Sequence, residues 1–134
     1  MDDSITCLAR TIYWEAKEAD ARDMSAVASV VVNRLGHDGF PDTICGVVKQ
    51  GVETKSCQFS WWCDGRSDQV EEKQRYDVAK EIARKALNQQ LKDPTRGALY
   101  FHDRSVRPDW AKAYRKTAET KLFLFYKPNP ALAR

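Results

Sequence analysis

The run Tyr13-Trp14-Glu15-Ala16 places a carboxyl group directly after two large aromatic side chains. Burial among apolar groups penalises the charged form of a carboxyl group and therefore raises its pKa. A glutamic acid that stays protonated near neutral pH can donate its proton to a glycosidic oxygen. Glu15 is therefore the candidate catalytic acid/base, although most glutamates on helices are simply exposed surface residues.

Many glycosidases need a second carboxylate, and Glu18 and Asp64 are the candidates for a supporting role. Glu18 lies one helical turn after Glu15, so the two carboxylates point in parallel rather than flanking a sugar. Asp64 follows the segment 58–62, but an Asp-Gly pair at this position is also typical of a turn. The sequence therefore offers one well-placed acid.

Polar and aromatic residues alternate over residues 58–62, with the sequence Gln-Phe-Ser-Trp-Trp. If this segment is a strand, one face carries an amide, a hydroxyl and an indole ring. Such groups suit sugars, because hydroxyls accept hydrogen bonds and the apolar face of the ring stacks on aromatic side chains; a core strand with one wet side is the alternative. The predicted substrate-binding residues are Gln58, Ser60, Trp62, Tyr100 and Trp110.

The four cysteines leave several interpretations open. A Cys57–Cys63 or Cys45–Cys57 disulfide is expected if the protein meets an oxidising compartment, and free buried thiols are the alternative. Cys7 lies on an apolar helix face and is expected in the core. Zinc sites usually contain tighter cysteine pairs, and no glycine-rich phosphate loop occurs, so neither a metal nor a cofactor is predicted.

The elements that must position these residues are mainly helical. Asp3 or Ser4 caps the first helix, and Asp23 caps the second after a turn at residues 19–22. The predicted helices span about residues 4–18, 24–35, 43–48 and 69–91. The other predicted elements are a small β-hairpin or irregular sheet at 51–62, a short buried segment at 98–101, a short helix or turn at 108–113, a strand pair at 117–126 and a loose tail at 127–134.

The length predicts a single domain over residues 1–134, here a catalytic one, and the order of helices and strands predicts the α+β class. The net charge of +3 suits an anionic polymer, but bases and acids are interspersed on the long helix, which argues against binding of nucleic acid. No apolar run approaches the length of a membrane span. We therefore expect a monomer that neither binds nucleic acid nor inserts stably into a membrane.

Six ordered blocks resemble the cell wall hydrolases of the SleB/CwlJ type, the spore-cortex-lytic family. The blocks are residues 8–16, 26–34, 40–48, 57–61, 98–102 and 108–110, and the resemblance spans about residues 5–126. Two departures occur: the family often has Arg-Gly-Glu where this chain has Lys17-Glu18-Ala19. It also tends to have Gly-x-His-x-Phe-Tyr near the end, whereas residues 121–126 lack both the glycine and the histidine.

The resemblance implies a lysozyme-like α+β fold and peptidoglycan glycan strands as the substrate. It implies that Glu15 matches the catalytic glutamate of a lytic transglycosylase, which cleaves the bond between N-acetylmuramic acid and N-acetylglucosamine. Such an enzyme needs only one carboxyl group, which acts first as acid and then as base. Muramidase-type hydrolysis of the same bond, a wall-binding module and a Cys/His amidase using His102 remain as alternatives.

The first residues lack the basic start and the apolar run of a secretory signal. One expectation is a chain made in the cytoplasm that reaches the wall or periplasm through a membrane pore, as a phage endolysin does. The rival is a catalytic domain cut from a longer exported protein.

Overall fold

The structure, a computed structural model of the 134-residue chain, describes residues 3–16, 19–51, 57–63 and 72–129. These residues form four helices: α1 (Ser4–Glu15), α2 (Ala21–Arg34), α3 (Ile44–Val48) and α4 (Lys73–Leu87). They also form three strands, β1 (Tyr100–Asp103), β2 (Tyr114–Glu119) and β3 (Phe123–Pro128), and 3₁₀ turns at Ser60–Trp62 and Asp109–Lys112. The predicted α+β class is confirmed.

Helix α2 starts earlier than predicted, because Asp20 rather than Asp23 is its N-cap. The Asp20 side chain accepts a hydrogen bond from the Asp23 N–H at 2.9 Å, and the Asp23 carboxylate accepts one from the Asp20 N–H. With this reciprocal capping box, residues 21 and 22 of the predicted turn already belong to the helix. Asp23 is fully buried, and its Oδ1 also accepts a hydrogen bond from the Leu122 N–H at 3.1 Å, which ties α2 to the sheet.

Helix α2 packs against the other three helices. Its residues Val27, Val30 and Val31 are fully buried, and burial of each such side chain contributes about 1.5–3 kcal/mol. Helices α1 and α4 pack against α2 and against each other. The Tyr13 hydroxyl accepts a hydrogen bond from the Glu72 N–H at 2.9 Å. The last turn of α1 is therefore fixed to the start of α4.

Helix α4 ends at Leu87, four residues before the predicted end. Gln89 adopts a left-handed conformation with φ 58°, and the Gln90 N–H donates back to the Lys85 carbonyl at 2.8 Å. These features close the helix before residue 91. The predicted start at residue 69 lies outside the described residues.

The sheet is antiparallel with strand order β1-β3-β2, so β3 is central. The predicted strand pair at 117–126 corresponds to β2 and β3. Residues 127 and 128, predicted as tail, instead pair with Arg115 and Tyr114 of β2. Of the predicted hairpin at 51–62, residues 52–56 lie outside the described residues. Residues 58–62 form a bend and a 3₁₀ turn rather than a strand.

All four cysteines are paired, as Cys7–Cys45 and Cys57–Cys63. The Cys57–Cys63 alternative is confirmed, while Cys45–Cys57 and the free thiols are wrong. Cys7 is buried, as predicted, but its bond to Cys45 was missed because the two residues are far apart in the sequence and meet only when α1 packs on α3. None of the helices among the described residues is long and apolar enough to cross a membrane.

Candidate active site

A cleft of about 620 Å³ separates the end of α1 and the 57–63 segment from the sheet. The structure brings five of the six predicted catalytic and substrate-binding residues together in its lining: Glu15, Gln58, Ser60, Tyr100 and Trp110. They come from a helix, a disulfide-closed segment, a strand and a 3₁₀ turn. The cleft is therefore a product of the tertiary fold.

Glu15 is the last residue of α1 and is half-buried in the cleft wall. The two aromatic residues before it point into the core, where Tyr13 is fully buried and Trp14 is 9% exposed. The Trp14 ring lies 4.9 Å from the Tyr13 ring and 6.4 Å from the ring of Trp61, between centroids. The aromatic pair thus anchors the helix end that carries Glu15.

The segment from Cys57 to Cys63 keeps the predicted alternation without being a strand. Gln58 and Ser60 are exposed toward the cleft, whereas Phe59 and Trp61 are 1% and 4% exposed in the core. A bend followed by a 3₁₀ turn produces this alternation, and the Cys57–Cys63 disulfide closes its ends. The polar groups predicted to contact sugar therefore do face the cleft.

Trp62 is the predicted substrate contact that the structure places elsewhere. It does not line the cleft. Its ring lies 3.9 Å from the Trp61 ring, and the Lys49 ammonium lies 5.0 Å from the Trp62 ring centroid. The strand interpretation put Trp62 on the same face as Gln58 and Ser60, but the 3₁₀ turn rotates it away.

Aromatic rings form the opposite wall of the cleft. Tyr100 lies 4.9 Å from Tyr114 and 5.9 Å from Trp110, between ring centroids, and His102 lies 5.7 Å from Trp110. Burial, and then the neighbouring Tyr114 hydroxyl, raise the pKa of Tyr100 above its usual value. The Tyr100 hydroxyl therefore keeps its proton at neutral pH and can donate a hydrogen bond.

Arg34, at the end of α2, is a buried cation in the cleft lining. Its guanidinium lies 4.9 Å, 5.3 Å and 5.5 Å from the ring centroids of Phe40, Phe59 and Tyr100, and its Nε donates to the Leu99 carbonyl at 2.8 Å. Burial lowers the pKa of Arg34 to about 10, so it remains charged at neutral pH. Arg34 thus joins both walls of the cleft.

Asp103 is a second carboxylate in the cleft lining, at the end of β1. Its Oδ1 accepts a hydrogen bond from the Ser105 N–H at 2.7 Å. Hydrogen bonds from Ser105 hold the pKa of Asp103 below its usual value. Asp103 is therefore ionised at neutral pH.

Arg34, Asp103 and Tyr114 were not predicted as site residues, and His102 was predicted only as the partner of a cysteine. A detectable signal existed for Arg34, which is a charged residue at the end of an otherwise apolar helix. Nothing in the local sequence marks the other residues. They reach the cleft through strand pairing.

Two predicted supporting residues, Glu18 and Asp64, lie outside the described residues. Across the ranges that the structure describes, no group of three or more His, Cys, Asp or Glu side chains is arranged to hold a metal ion. Because every cysteine is in a disulfide, His102 has no thiol to activate. The Cys/His amidase alternative therefore lacks its nucleophile in this structure.

The family model described as Cell Wall Hydrolase matches residues 18–126, which is most of the chain. This chain belongs to the cell wall hydrolase family. The resemblance noted in the sequence is thereby confirmed. The family match begins after Glu15 and therefore does not include this glutamate.

Two curated relatives of this cell wall hydrolase are spore cortex-lytic enzymes. The chain is 32% identical over 102 residues to the enzyme of Halalkalibacterium halodurans and 29% identical over 102 residues to that of Bacillus subtilis. Each match covers 75% of this chain but only 27% and 29% of the respective relatives. The chain therefore spans less than a third of their length.

Two solved structures share the fold of this cell wall hydrolase. The catalytic domain of the Bacillus cereus SleB protein gives a TM-score of 0.67 at 23% identity, covering 92% of this chain and 89% of that one. The catalytic domain of the germination-specific lytic transglycosylase SleB from Bacillus anthracis gives 0.68 at 22% identity, covering 95% and 96%. The predicted lysozyme-like fold is confirmed.

Proposed function

We propose that this cell wall hydrolase cleaves the glycan strands of peptidoglycan as a lytic transglycosylase, with Glu15 as its catalytic residue. The observation that carries the proposal is the cleft, in which Glu15 faces polar and aromatic side chains suited to sugar. The spore cortex-lytic relatives and the SleB domain described as a lytic transglycosylase support the same reaction class. The substrate puts its site of action at the bacterial cell wall.

Glu15 supplies both proton transfers in the proposed reaction. Its carboxyl group donates a proton to the oxygen that joins N-acetylmuramic acid to N-acetylglucosamine, and that bond breaks as an oxocarbenium-like state develops. The resulting carboxylate then removes the proton from the 6-hydroxyl of the muramic acid. The 6-hydroxyl oxygen bonds to the anomeric carbon and closes a 1,6-anhydro ring. The reaction therefore consumes no water and requires no second carboxylate.

The position of Glu15 suits a proton donor. It lies at the C-terminal end of α1 in the wall of the cleft, where its carboxyl group can reach a bound glycan. The neutral acid is the form that the first step requires.

The other cleft residues bind and orient the sugar. Gln58 and Ser60 offer an amide and a hydroxyl to the sugar hydroxyls. Trp110 offers an aromatic face, and Tyr100 offers a protonated hydroxyl. Arg34 is a positioning residue, because its guanidinium holds the rings of both cleft walls together.

A neighbouring groove of about 390 Å³ supports a polymeric substrate. It shares His102 and Val106 with the cleft and continues past Arg107 and Lys112. A glycan strand that enters the cleft therefore has a path along the protein surface beyond the cleaved bond.

The test of the proposal is Glu15→Gln, which keeps the shape of the side chain but cannot donate a carboxyl proton. We expect it to fold normally and to lose about 100-fold or more of its activity in a turbidity assay on purified bacterial walls. The matched control is Glu81→Gln on the exposed face of α4, which should retain activity. Wild-type activity of Glu15→Gln would overturn the assignment.

The presence of Asp103 in the cleft supports a second candidate function, which is hydrolysis of the same bond by a muramidase route. An ionised carboxylate in the same cleft could activate water or stabilise the oxocarbenium-like state. Mass spectrometry of the digested glycan distinguishes the routes, since transglycosylation leaves 1,6-anhydro ends and hydrolysis leaves reducing ends. Reducing ends that disappear in Asp103→Asn would establish the muramidase route.

A further inference from the structure

We propose that Arg96, Arg115 and Lys127 form a second binding site, which takes the phosphodiester groups of an anionic polymer attached to the cell wall. We call these three residues the back-face cation site. They line a cavity of about 260 Å³ together with Lys116 and Thr117. Neither the proposed catalysis nor the family match assigns this cavity a role.

The back-face cation site shares no residue with the lining of the cleft. Tyr114 of β2 lines the cleft, and the next residue, Arg115, points to the other face because side chains alternate along a strand. Arg115 is paired directly across the sheet with Lys127 of β3. A polymer bound there leaves the cleft open for glycan.

The third cation is held beside this pair by a rigid loop. Arg96 has a left-handed backbone with φ 59°, which is uncommon for a residue with a side chain. Asp93 fixes the loop by accepting hydrogen bonds from the Thr95 N–H at 2.7 Å and from the Gly97 N–H at 2.9 Å. The Thr117 hydroxyl donates to the Thr95 carbonyl at 2.7 Å, which fastens the loop to β2.

Close packing brings the Lys127 ammonium to the same loop. A Cβ atom added at Gly97 would lie 3.4 Å from the Lys127 Nζ. The ammonium therefore sits over the glycine that follows Arg96. The side chains of Arg96, Arg115 and Lys127, which come from the loop and the two strands, therefore line one cavity rather than being spread over the surface.

The arrangement costs stability, because like charges directly opposite each other in a sheet repel. None of the three cations forms an ion pair with a side chain in the part of the chain that the structure describes. The nearby Glu119 is bonded to Lys116 at 3.1 Å and lies 3.8 Å from Arg104. An external anion would offset the repulsion.

Phosphate is the anion that fits best. The planar guanidinium groups of arginine match phosphate oxygens with two parallel hydrogen bonds, and three converging cations suit a group with several charged oxygens. A second cavity shares Arg96 and continues the basic surface past Lys92 and Arg22. Asp93 is the one carboxylate among the described residues that line this second cavity, and it already accepts four hydrogen bonds.

A continuous basic track fits a polymer with repeated phosphodiesters better than a single phosphate. Because the chain belongs to a family of cell wall hydrolases, the polymer that it meets is one carried by the wall. Such binding would hold the protein on its substrate while the cleft works on the glycan.

The test compares binding of the double variant Arg115→Gln/Lys127→Gln with that of the wild type. The probe is purified Gram-positive wall, either untreated or treated with hydrofluoric acid, which hydrolyses phosphodiesters and leaves the glycan. The control is Lys80→Gln/Lys85→Gln, which removes the same charge from the exposed face of α4. Binding is measured by sedimentation at two salt concentrations, and activity on soluble, phosphate-free glycan strands is measured in parallel.

We expect the wild type and the control to bind untreated wall at least 10-fold more tightly than acid-treated wall. The double variant should bind both walls equally weakly, with unchanged activity on soluble strands and an unchanged or higher Tm. Equal binding of the double variant and the wild type to untreated wall would overturn the proposal. So would wild-type binding that is insensitive to the acid treatment, or tighter binding to a single-stranded DNA oligonucleotide than to the wall. Loss of glycan cleavage by Glu15→Gln leaves this comparison intact, so the two proposals fail separately.

Discussion

Trp110 and Trp62 are two tryptophans with the same predicted role and different positions. Trp110 lies in the cleft between Tyr100 and His102, whereas Trp62 packs on Trp61 and Lys49 outside it. Sugar stacking requires an accessible ring face in the cleft. Only Trp110 of the two meets that condition.

We therefore expect Trp110→Ala to raise KM for soluble glycan strands by about 5- to 30-fold, the equivalent of about 1–2 kcal/mol of lost aromatic contact. Trp110→Phe should recover part of this loss. Trp62→Ala is the matched control and should leave KM unchanged in steady-state kinetics. If Trp62→Ala raised KM as much as Trp110→Ala, the described cleft would not be the substrate site.

Arg34 shows which properties of a site residue can be identified from the local sequence. Its basic side chain ends an apolar helix, so burial at a polar site could have been suspected. Its stacking on Phe40, Phe59 and Tyr100 could not, because these rings come from three separate parts of the chain. Glu15 and Gln58 were predicted from the residues next to them in the sequence. Asp103 was missed because it reaches the cleft only through strand pairing, which the local sequence does not show.

At the scale of a structural element, the Asp93 carboxylate fixes the loop between α4 and β1. Asp93 accepts hydrogen bonds from Thr95, Gly97 and Asn33. Burial raises the pKa of Asp93, but these hydrogen bonds together outweigh burial and hold the pKa below its usual value. The stability that this carboxylate contributes is therefore full near neutral pH and is lost as the pH falls below about 4.

Asp93→Asn should lower the free energy of unfolding by about 1–2 kcal/mol at pH 7, since the amide presents a donor where donors already converge. The difference between variant and wild type should shrink as the pH falls below about 4, because the wild-type carboxylate is then protonated. Urea unfolding followed by circular dichroism over pH 2.5–7 measures both. A difference that stayed constant over that range would contradict the role assigned to Asp93.

The two disulfides constrain different elements. Cys7–Cys45 joins α1 to α3 across 38 residues, and Cys57–Cys63 closes a separation of 6 residues around Gln58 and Ser60. Chain entropy makes the longer closure worth more stability, about 4 kcal/mol against about 2 kcal/mol. The shorter closure instead shapes the cleft.

Replacing Cys7 and Cys45 by alanine should therefore lower Tm more than replacing Cys57 and Cys63. The second pair of substitutions should reduce kcat/KM more than the first at a temperature where both variants are folded. Differential scanning calorimetry and wall turbidity assays measure the two rankings. If the variant without Cys7 and Cys45 had both the lower Tm and the lower kcat/KM, the short disulfide would have no separate effect on the cleft.

Helices were easier to predict than the segments between them. The helices follow local signals, and the error at α2 arose because both Asp20 and Asp23 can cap and only the folded chain shows their reciprocal bonding. The 58–62 segment has the alternation of a strand, yet a disulfide and the burial of Phe59 and Trp61 favour a compact turn. The alternation of polar and aromatic residues predicts which side chains are buried, but it does not predict the backbone conformation that buries them.

At the scale of the whole molecule, β3 holds the sheet together. Phe125 at its centre is fully buried, and its ring lies 5.8 Å from that of Phe101 and 6.2 Å from that of Phe123, between centroids. Phe125→Ala should lower the free energy of unfolding by about 3–5 kcal/mol in urea titrations. The matched exposed substitution Val106→Ala should change it by less than about 1 kcal/mol, and a similar loss in both would contradict the central role of β3.

The strand order also has a consequence during synthesis. Strands β1 and β2 carry Tyr100, His102 and Tyr114, and among the described residues both pair only with β3. A growing chain therefore contains Glu15 and the helical layer before it can form an aromatic wall. Because that wall can form only after β3 has left the ribosome, an unfinished polypeptide has no complete cleft, and the proposed glycan cleavage is confined to chains translated through β3.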